Sequence, residues 1–240
     1  MNILLLGYGK MGKVIEQIAL SRGHQIVGKI DVTNRHELAD FSRENVDAVI
    51  EFSAPEAAYE NLKWAMGKGL PTVCGTTGWL HHRPEIESLC QDNKAAFFYA
   101  SNYSIGVNLF FRLNKYLAKL IAPYPQYQVH TTEIHHIHKL DAPSGTAITL
   151  AEGLIQHLAA KTEWANQAEV AENQIPIVSL REGEVPGTHI IRYDSEVDRI
   201  EIKHVAHNRQ GFALGAVVAA EWLASRQGVF GMDDLLGQDA

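Results

Sequence analysis

Ile3 to Leu6 form an unbroken apolar run after Asn2 and predict a strand over residues 2–6 buried on both faces. Val14, Ile15, Ile18 and Ala19 then recur at helical spacing and predict a helix over 13–22. A second strand, 25–30, ends at Asp31. The alternation continues with strands over 47–52, 71–74 and 95–99, and with helices over 55–68, entered through Pro55, and 84–93. Strand and helix in this rhythm predict a parallel sheet covered by helices.

After Ser104 the pattern changes. A long amphipathic helix is predicted over 107–121, with Leu109, Phe110, Leu113, Leu117 and Leu120 as its apolar stripe, stopped by Pro123-Tyr124-Pro125. Strand-like segments follow over 126–135, 175–180, 189–193 and 199–205, with one helix, 146–160, among them. Residues 163–173 are polar and read as loop or frayed helix. A last apolar helix, 212–225, is rich in small residues suited to packing back on the first domain. Grouped strands with long helices predict an α+β domain around an open, largely antiparallel sheet.

The -7 net charge and the lack of a basic tract exclude a nucleic-acid footprint or an anionic membrane surface. An anionic ligand must therefore be held by local donors. Cys74 and Cys90 are too few for a disulfide framework and suit a reducing compartment. The absence of a leader pattern and of a long apolar run predicts a cytoplasmic protein with no membrane partner.

Gly7-Tyr8-Gly9-Lys10-Met11-Gly12 lies between the first strand and its helix, with Asp31 ending the next strand. This is the G-x-G-x-x-G turn of a dinucleotide site: Gly7 for the tight turn, Gly9 for close approach to pyrophosphate, Gly12 for close helix packing. Asp31 is placed to accept from the adenosine ribose hydroxyls, and its charge favours NADH over NADPH, while Lys29 and Arg35 lie near enough in sequence to soften that preference. Gly75-Thr76-Thr77-Gly78 and Ala100-Ser101-Asn102-Tyr103-Ser104 follow later strands and should open onto the same sheet edge. The predicted fold is therefore α/β, a Rossmann-type dinucleotide-binding domain over 1–103 plus an α+β catalytic domain with an open mixed sheet over 104–209, and residues 210–240 returning to the first domain.

The densest chemistry runs from Glu133 to Ala147. If the strand extends to Lys139, alternation sets Glu133, His135, Ile137 and Lys139 on one face and turns His136 and His138 away. His135 suits proton transfer near neutral pH and Lys139 is a cationic donor. Metal binding by the three histidines with Glu133 or Asp141 is the rival; divergence of adjacent histidines and the charge of Lys139 oppose it, and no metal is expected. Ser144 is placed to cap the next helix, and the first-turn N–H groups at Gly145 and Thr146 form a ready carboxylate or phosphate site. A hydride source, a proton donor and an anion clamp together indicate reduction of a carboxylated substrate. A non-catalytic nucleotide sensor and a metal hydrolase are the competing classes.

The stretch Glu133-Ile134-His135-His136-Ile137-His138-Lys139-Leu140-Asp141-Ala142-Pro143-Ser144-Gly145-Thr146-Ala147 closely resembles the signature of the 4-hydroxy-tetrahydrodipicolinate reductase family. Gly75 to Gly78, Ser101 to Asn108, Arg181-Glu182-Gly183 with Gly187-Thr188-His189, and His204 to Arg209 with Phe212 to Ala216 are also similar to it, so the resemblance spans nearly the whole chain. It implies His135 as general acid/base and Lys139 as proton donor. It implies His136, Ser144, Gly145, Thr146 and Arg209 as contacts to a small dicarboxylate, with Arg209 closing over it. Gly7 to Gly12, Asp31, Gly75 to Thr77 and Ala100 to Tyr103 are the implied contacts to NADH or NADPH. The implied reaction is loss of water from a hydroxylated ring, hydride transfer to ring C4 and protonation, in lysine and diaminopimelate biosynthesis. The family forms homotetramers through the second-domain sheet, and its two domains close over substrate. Here the glycine loop is one residue shorter than usual, which bears on the pyrophosphate contacts, and no arginine follows Asp31.

Overall fold

The structure, a computed structural model, describes residues 1–208 and 210–237. In chain order the strands and helices are β1 Asn2–Leu6, α1 Lys10–Ser21, β2 Gln25–Ile30, β3 Ala48–Glu51, α2 Pro55–Gly67, β4 Thr72–Cys74, α3 Arg83–Asp92, β5 Ala96–Tyr99 and α4 Ile105–Ile121. They continue with β6 Gln128–His135, α5 Gly145–Ile155, β7 Glu163–Ala165, β8 Gln174–Arg181, β9 Gly187–Asp194, β10 Arg199–Ala206, α6 Gln210–Leu223, β11 Gly228–Phe230 and α7 Met232–Leu235. Two compact units result, Met1–Ile105 with Gln210–Ala240, and Gly106–Arg209.

The first unit is a parallel sheet in the order β11-β5-β4-β3-β1-β2. Ile3 and Leu5 of β1 join one apolar cluster, and Leu4 and Leu6 another, so both faces of the strand are covered. Each such side chain contributes roughly 1.5–3 kcal/mol on full burial. The first cluster is closed by α6, whose Ala213, Ala216, Ala219 and Ala220 are fully buried with Val217 and Leu223. Small residues let that helix sit close: a Cβ on Gly215 would stand 1.7 Å from the Tyr103 carbonyl oxygen.

The second unit has a mixed sheet in the order β10-β9-β6-β8-β7. β6 pairs antiparallel with β9 and parallel with β8, so the expectation of a largely antiparallel sheet is corrected: two of the four pairings are parallel. The short β7 occupies part of the stretch read as loop or frayed helix, and it is ordered by pairing with β8. One sheet face packs on α4 and α5 through Val129, Ile177, Ile191 and Tyr193. The stripe expected on α4 is also corrected. Leu109, Leu113 and Leu120 are each about half exposed, and the buried face carries Val107, Phe110, Asn114, Ala118 and Ile121. Packing chose the face with small residues, where the Asn114 amide donates to the Leu150 carbonyl at 2.9 Å and Gly153 of α5 leaves room.

Gly215→Ala should lower stability by about 1–3 kcal/mol, because the clash is with backbone that cannot step aside and outweighs the better helix propensity of alanine. Guanidinium unfolding measures it; an unchanged midpoint would show that α6 does not lie this close to Tyr103.

Candidate functional site

In the first unit the chain turns sharply after β1. Gly7 has φ +91°, and a Cβ there would stand 2.2 Å from the Phe52 carbonyl oxygen. Gly12 is equally restricted, its Cβ position lying 2.5 Å from the Gly7 oxygen. Gly9 differs: nothing lies within 4 Å of a Cβ built there, so the start of α1 stands open with no side-chain cap on its N–H groups. A groove of about 480 Å³ runs past Gly7, Tyr8, Gly9, Asp31, Arg35, Ser53 and Asn61. A second cavity of about 380 Å³ shares Gly9, Phe52 and Ser53 with it and adds Lys10, Met11, Gly75, Thr76 and Thr77. Together they follow the carboxyl ends of β1, β3 and β4, where parallel sheets take their ligands. The open turn and the acid at the β2 end suit a dinucleotide.

In the second unit, Val129, Thr131, Glu133 and His135 are the buried positions of β6. The stripe begins in the core and ends in an acid and a histidine. Glu133 has no exposed surface. Its Oε1 accepts from the Ser144 backbone N–H at 3.1 Å and from both Arg181 Nη atoms at 3.4 Å. Its Oε2 lies 3.2 Å from His135 Nδ1, close enough for an ion pair but off the line of a hydrogen bond. Burial opposes ionisation of Glu133, yet the nearby His135 ring and the Ser144 donor outweigh it and hold the carboxyl well below its usual range. His189 is the direct cross-strand partner of Glu133 on β9, and its ring meets that of His135 edge-on at 5.2 Å. Burial first, then the charge of His135, push His189 down to about 4.

The strand ends at His135, as the predicted range 126–135 had it, and does not extend to Lys139. The loop leaves because Arg181 gathers it: Nε donates to the Lys139 carbonyl at 3.3 Å and Nη2 to that of Asp141 at 2.6 Å. Lys139 therefore sits in a turn rather than on the His135 face, its Nζ bonded to Asp141 at 2.7 and 2.9 Å. His136 is half-buried and His138 exposed, beside Glu184 at 3.6 Å. Ser144 caps α5, its hydroxyl accepting from the Ala147 N–H at 3.2 Å. The first-turn donors of Gly145 and Thr146 remain, and a Cβ on Gly145 would meet nothing within 4 Å.

Family profiles described as "Dihydrodipicolinate reductase, N-terminus" and "Dihydrodipicolinate reductase, C-terminus" match residues 1–103 and 106–236. The chain belongs to the dihydrodipicolinate reductase family. The 4-hydroxy-tetrahydrodipicolinate reductase of Christiangramia forsetii is 48% identical over 237 residues, covering 98% of both chains. That of Methanosarcina acetivorans is 34% identical, over 98% of this chain and 99% of its own. A solved dipicolinate-bound dihydrodipicolinate reductase from Paenisporosarcina sp. TG-14 shares the fold, with TM-score 0.75 at 24% identity over 98% of this chain and 99% of that one. This reductase-family chain is thus an oxidoreductase with an N-terminal dinucleotide-binding domain.

Within the family framework, the sequence-read cofactor residues divide. Gly7 to Gly12, Asp31 and Gly75 to Thr77 border the two cavities or shape the turn beside them. Tyr103 does not: its side chain is buried, its hydroxyl donating to the Cys74 carbonyl at 2.7 Å, so only its backbone is left for a ligand. Ala100 is buried and Ser101 exposed in the same turn, where Asn102 Oδ1 accepts from the Ser104 N–H at 2.9 Å. Lys29 is engaged with Glu16 at 2.5 Å and lies over the Tyr8 ring, whereas Arg35 lines the groove and donates to Asn61. Arg209 lies outside the described residues. No helix among the described residues is long and apolar enough to cross a membrane.

Sequence reasoning passed over Glu51, a fully buried acid at the end of β3 that accepts from Ser53, from Asn61 at 3.3 Å and from the Cys74 thiol at 3.3 Å. Its signal was available: a lone charge closing the apolar run Ala48-Val49-Ile50. Arg181 and His189 stood only within the family resemblance, with no local signal of a role, since both reach the site from other strands.

His189 sets a pH dependence. Between pH 6.5 and about 4 the unfolded chain binds a proton that folded His189 does not, so stability falls as pH falls through that window. At ~1.4 kcal/mol per pH unit the loss approaches about 3 kcal/mol. His189→Gln should flatten urea-unfolding stability between pH 7 and 4.5; an identical slope in both proteins would mean His189 titrates normally.

Proposed function

We propose that this chain reduces 4-hydroxy-tetrahydrodipicolinate to tetrahydrodipicolinate in lysine and diaminopimelate biosynthesis, using NADH in preference to NADPH. The observation that carries this reading is the β6–α5 junction, where buried His135 is backed by ionised Glu133 close to open first-turn donors. A nicotinamide dinucleotide held by Gly7 to Gly12, Asp31 and Gly75 to Thr77 supplies hydride when bound. The remaining chemistry belongs to side chains of the second unit. Glu133 faces His135 Nδ1 and so favours a proton there, leaving Nε2, on the Gly187 side of the ring, as the nitrogen that takes and gives protons.

Loss of a ring hydroxyl as water needs a proton on the departing oxygen, and the reduced ring needs a second. Lys139 Nζ is the other donor in the loop, and its bond to Asp141 orients it until substrate arrives. The N–H groups of Gly145 and Thr146, at the positive end of α5, hold a carboxylate with Ser144 and His136. Arg209 completes the charge match to a dicarboxylate. The reading includes a cytoplasmic homotetramer. Its support is the sheet face away from α4 and α5, where Ile134, Leu180 and Val205 lie in one cross-strand row, Leu180 at 38% and Val205 at 45% exposure.

The deciding assay follows oxidation of NADH and NADPH by purified protein with freshly generated 4-hydroxy-tetrahydrodipicolinate; no substrate-dependent oxidation of either sinks the proposal. His135→Gln should lower kcat by about 10²–10⁴, and turnover near that of the unaltered protein would remove His135 from proton transfer. Asp31→Ala should shift the NADH:NADPH ratio of kcat/KM towards NADPH by roughly 10–100-fold, the worth of a hydrogen bond to a charged group at ~1.5–3 kcal/mol. An unmoved ratio would mean that Asp31 does not face the ribose.

A further inference from the structure

Glu133 and His135 stand two positions apart on β6, so their side chains leave the same face. His189 is the antiparallel partner of Glu133 and leaves that face beside them. Ligand-type atoms of the three residues lie within 4.8 Å of one another, and this is the one such group among the described residues. All three side chains are buried, and Glu133 Oε2, His135 Nδ1 and His189 Nδ1 each lack a hydrogen-bond partner. Buried polar atoms are normally satisfied. Here three lone-pair donors converge, and a single proton can bridge only two of them.

We propose that Glu133, His135 and His189 form a three-ligand site for a divalent cation of the zinc class, and that occupancy switches the reductase off by capturing His135. One carboxylate and two imidazoles are the donor set of an open four-coordinate zinc site. Magnesium and calcium are disfavoured, since they ask for six or more ligands, mostly oxygen. Zinc bonds of about 2.0–2.2 Å set tetrahedral ligands roughly 3.3–3.6 Å apart. The Glu133–His135 pair already stands at 3.2 Å, and small side-chain rotations close the rest.

The surroundings support the site. Ser144 and Arg181 bind Oε1 and so fix the carboxylate with Oε2 turned to the histidines, as outer partners do for metal ligands. The charge of Lys139 is balanced by Asp141. This is a different cluster from the His135, His136 and His138 set weighed on sequence, whose last two rings stand 6.2 Å apart outside the strand. The binding part stands on geometry alone; the inhibition part rests on the reading of His135 as the proton-transfer group.

Protein free of any histidine tag is titrated with cobalt(II). The expected result is a visible absorption band of a four- or five-coordinate site, saturating at one equivalent, bleached by zinc and lost in both His189→Gln and His135→Gln. Two variants guard against one misfolding, and thermal melts confirm that each is folded. No saturable band, or a band that survives in both folded variants, overturns the site. In parallel, zinc should cut turnover by roughly tenfold or more, with recovery on adding EDTA. A band that behaves as expected while zinc leaves turnover intact overturns the inhibition. Failure of the reductase reading would show separately, as metal-free protein that binds cobalt yet oxidises neither cofactor with substrate.

Discussion

The second unit depends on a carboxylate that reaches no solvent. Glu133 sits where the buried stripe of β6 runs out of apolar partners, and a charge there costs several kcal/mol unless every part of it is bonded. Ser144 and Arg181 answer part of that demand at Oε1, one from the helix that follows and one from the neighbouring strand, while Oε2 faces His135. Because Arg181 also holds the carbonyls of Lys139 and Asp141, the loop bearing Lys139 is folded around the same acid that faces His135. Loop shape, helix entry and histidine orientation therefore share one electrostatic cause.

The first unit repeats the device. Glu51 closes β3, where Glu133 stands two residues before the end of β6; it too is fully buried, and it collects donors from Ser53, Asn61 and Cys74. Asn61 in turn accepts from Arg35, so the buried acid reaches the wall of the dinucleotide groove through a single amide. The cost of burying the Cys74 thiol beside it appears as a thiol pushed well above its usual range, a neutral donor rather than a reactive thiolate. In both units an acid at a strand's carboxyl end holds the loop that leaves it, the edge where open α/β sheets bind ligands.

The elements most legible in the chain were those whose apolar spacing had one solution. Ile3 to Leu6 admitted only a doubly covered strand, and the glycines at 7 and 12 each proved to have a steric reason for their place in the turn. Periodicity misled where a helix was apolar on two sides: α4 offered the leucines at 109, 113 and 120, yet buried the side with Asn114 and Ala118. Hydrophobicity ranks faces by transfer energy, whereas close packing ranks them by shape. The strand end at His135 was legible in the sequence, whereas the path of the loop beyond it was not, since alternation continued past His135 while the chain followed Arg181.

What the sequence by itself determined was the local chemistry: the open glycine turn, the acid after the second strand, the histidine and lysine ahead of a capped helix. Those are set by neighbours a few positions away, through dihedral limits, capping and periodicity. Only the tertiary structure decided that His189 and Arg181 join Glu133 and His135, because strand register brings residues about 50 positions apart in the chain into contact, and no local spacing encodes it. It also turned a run of histidines into one buried histidine, His135, set among partners from other strands.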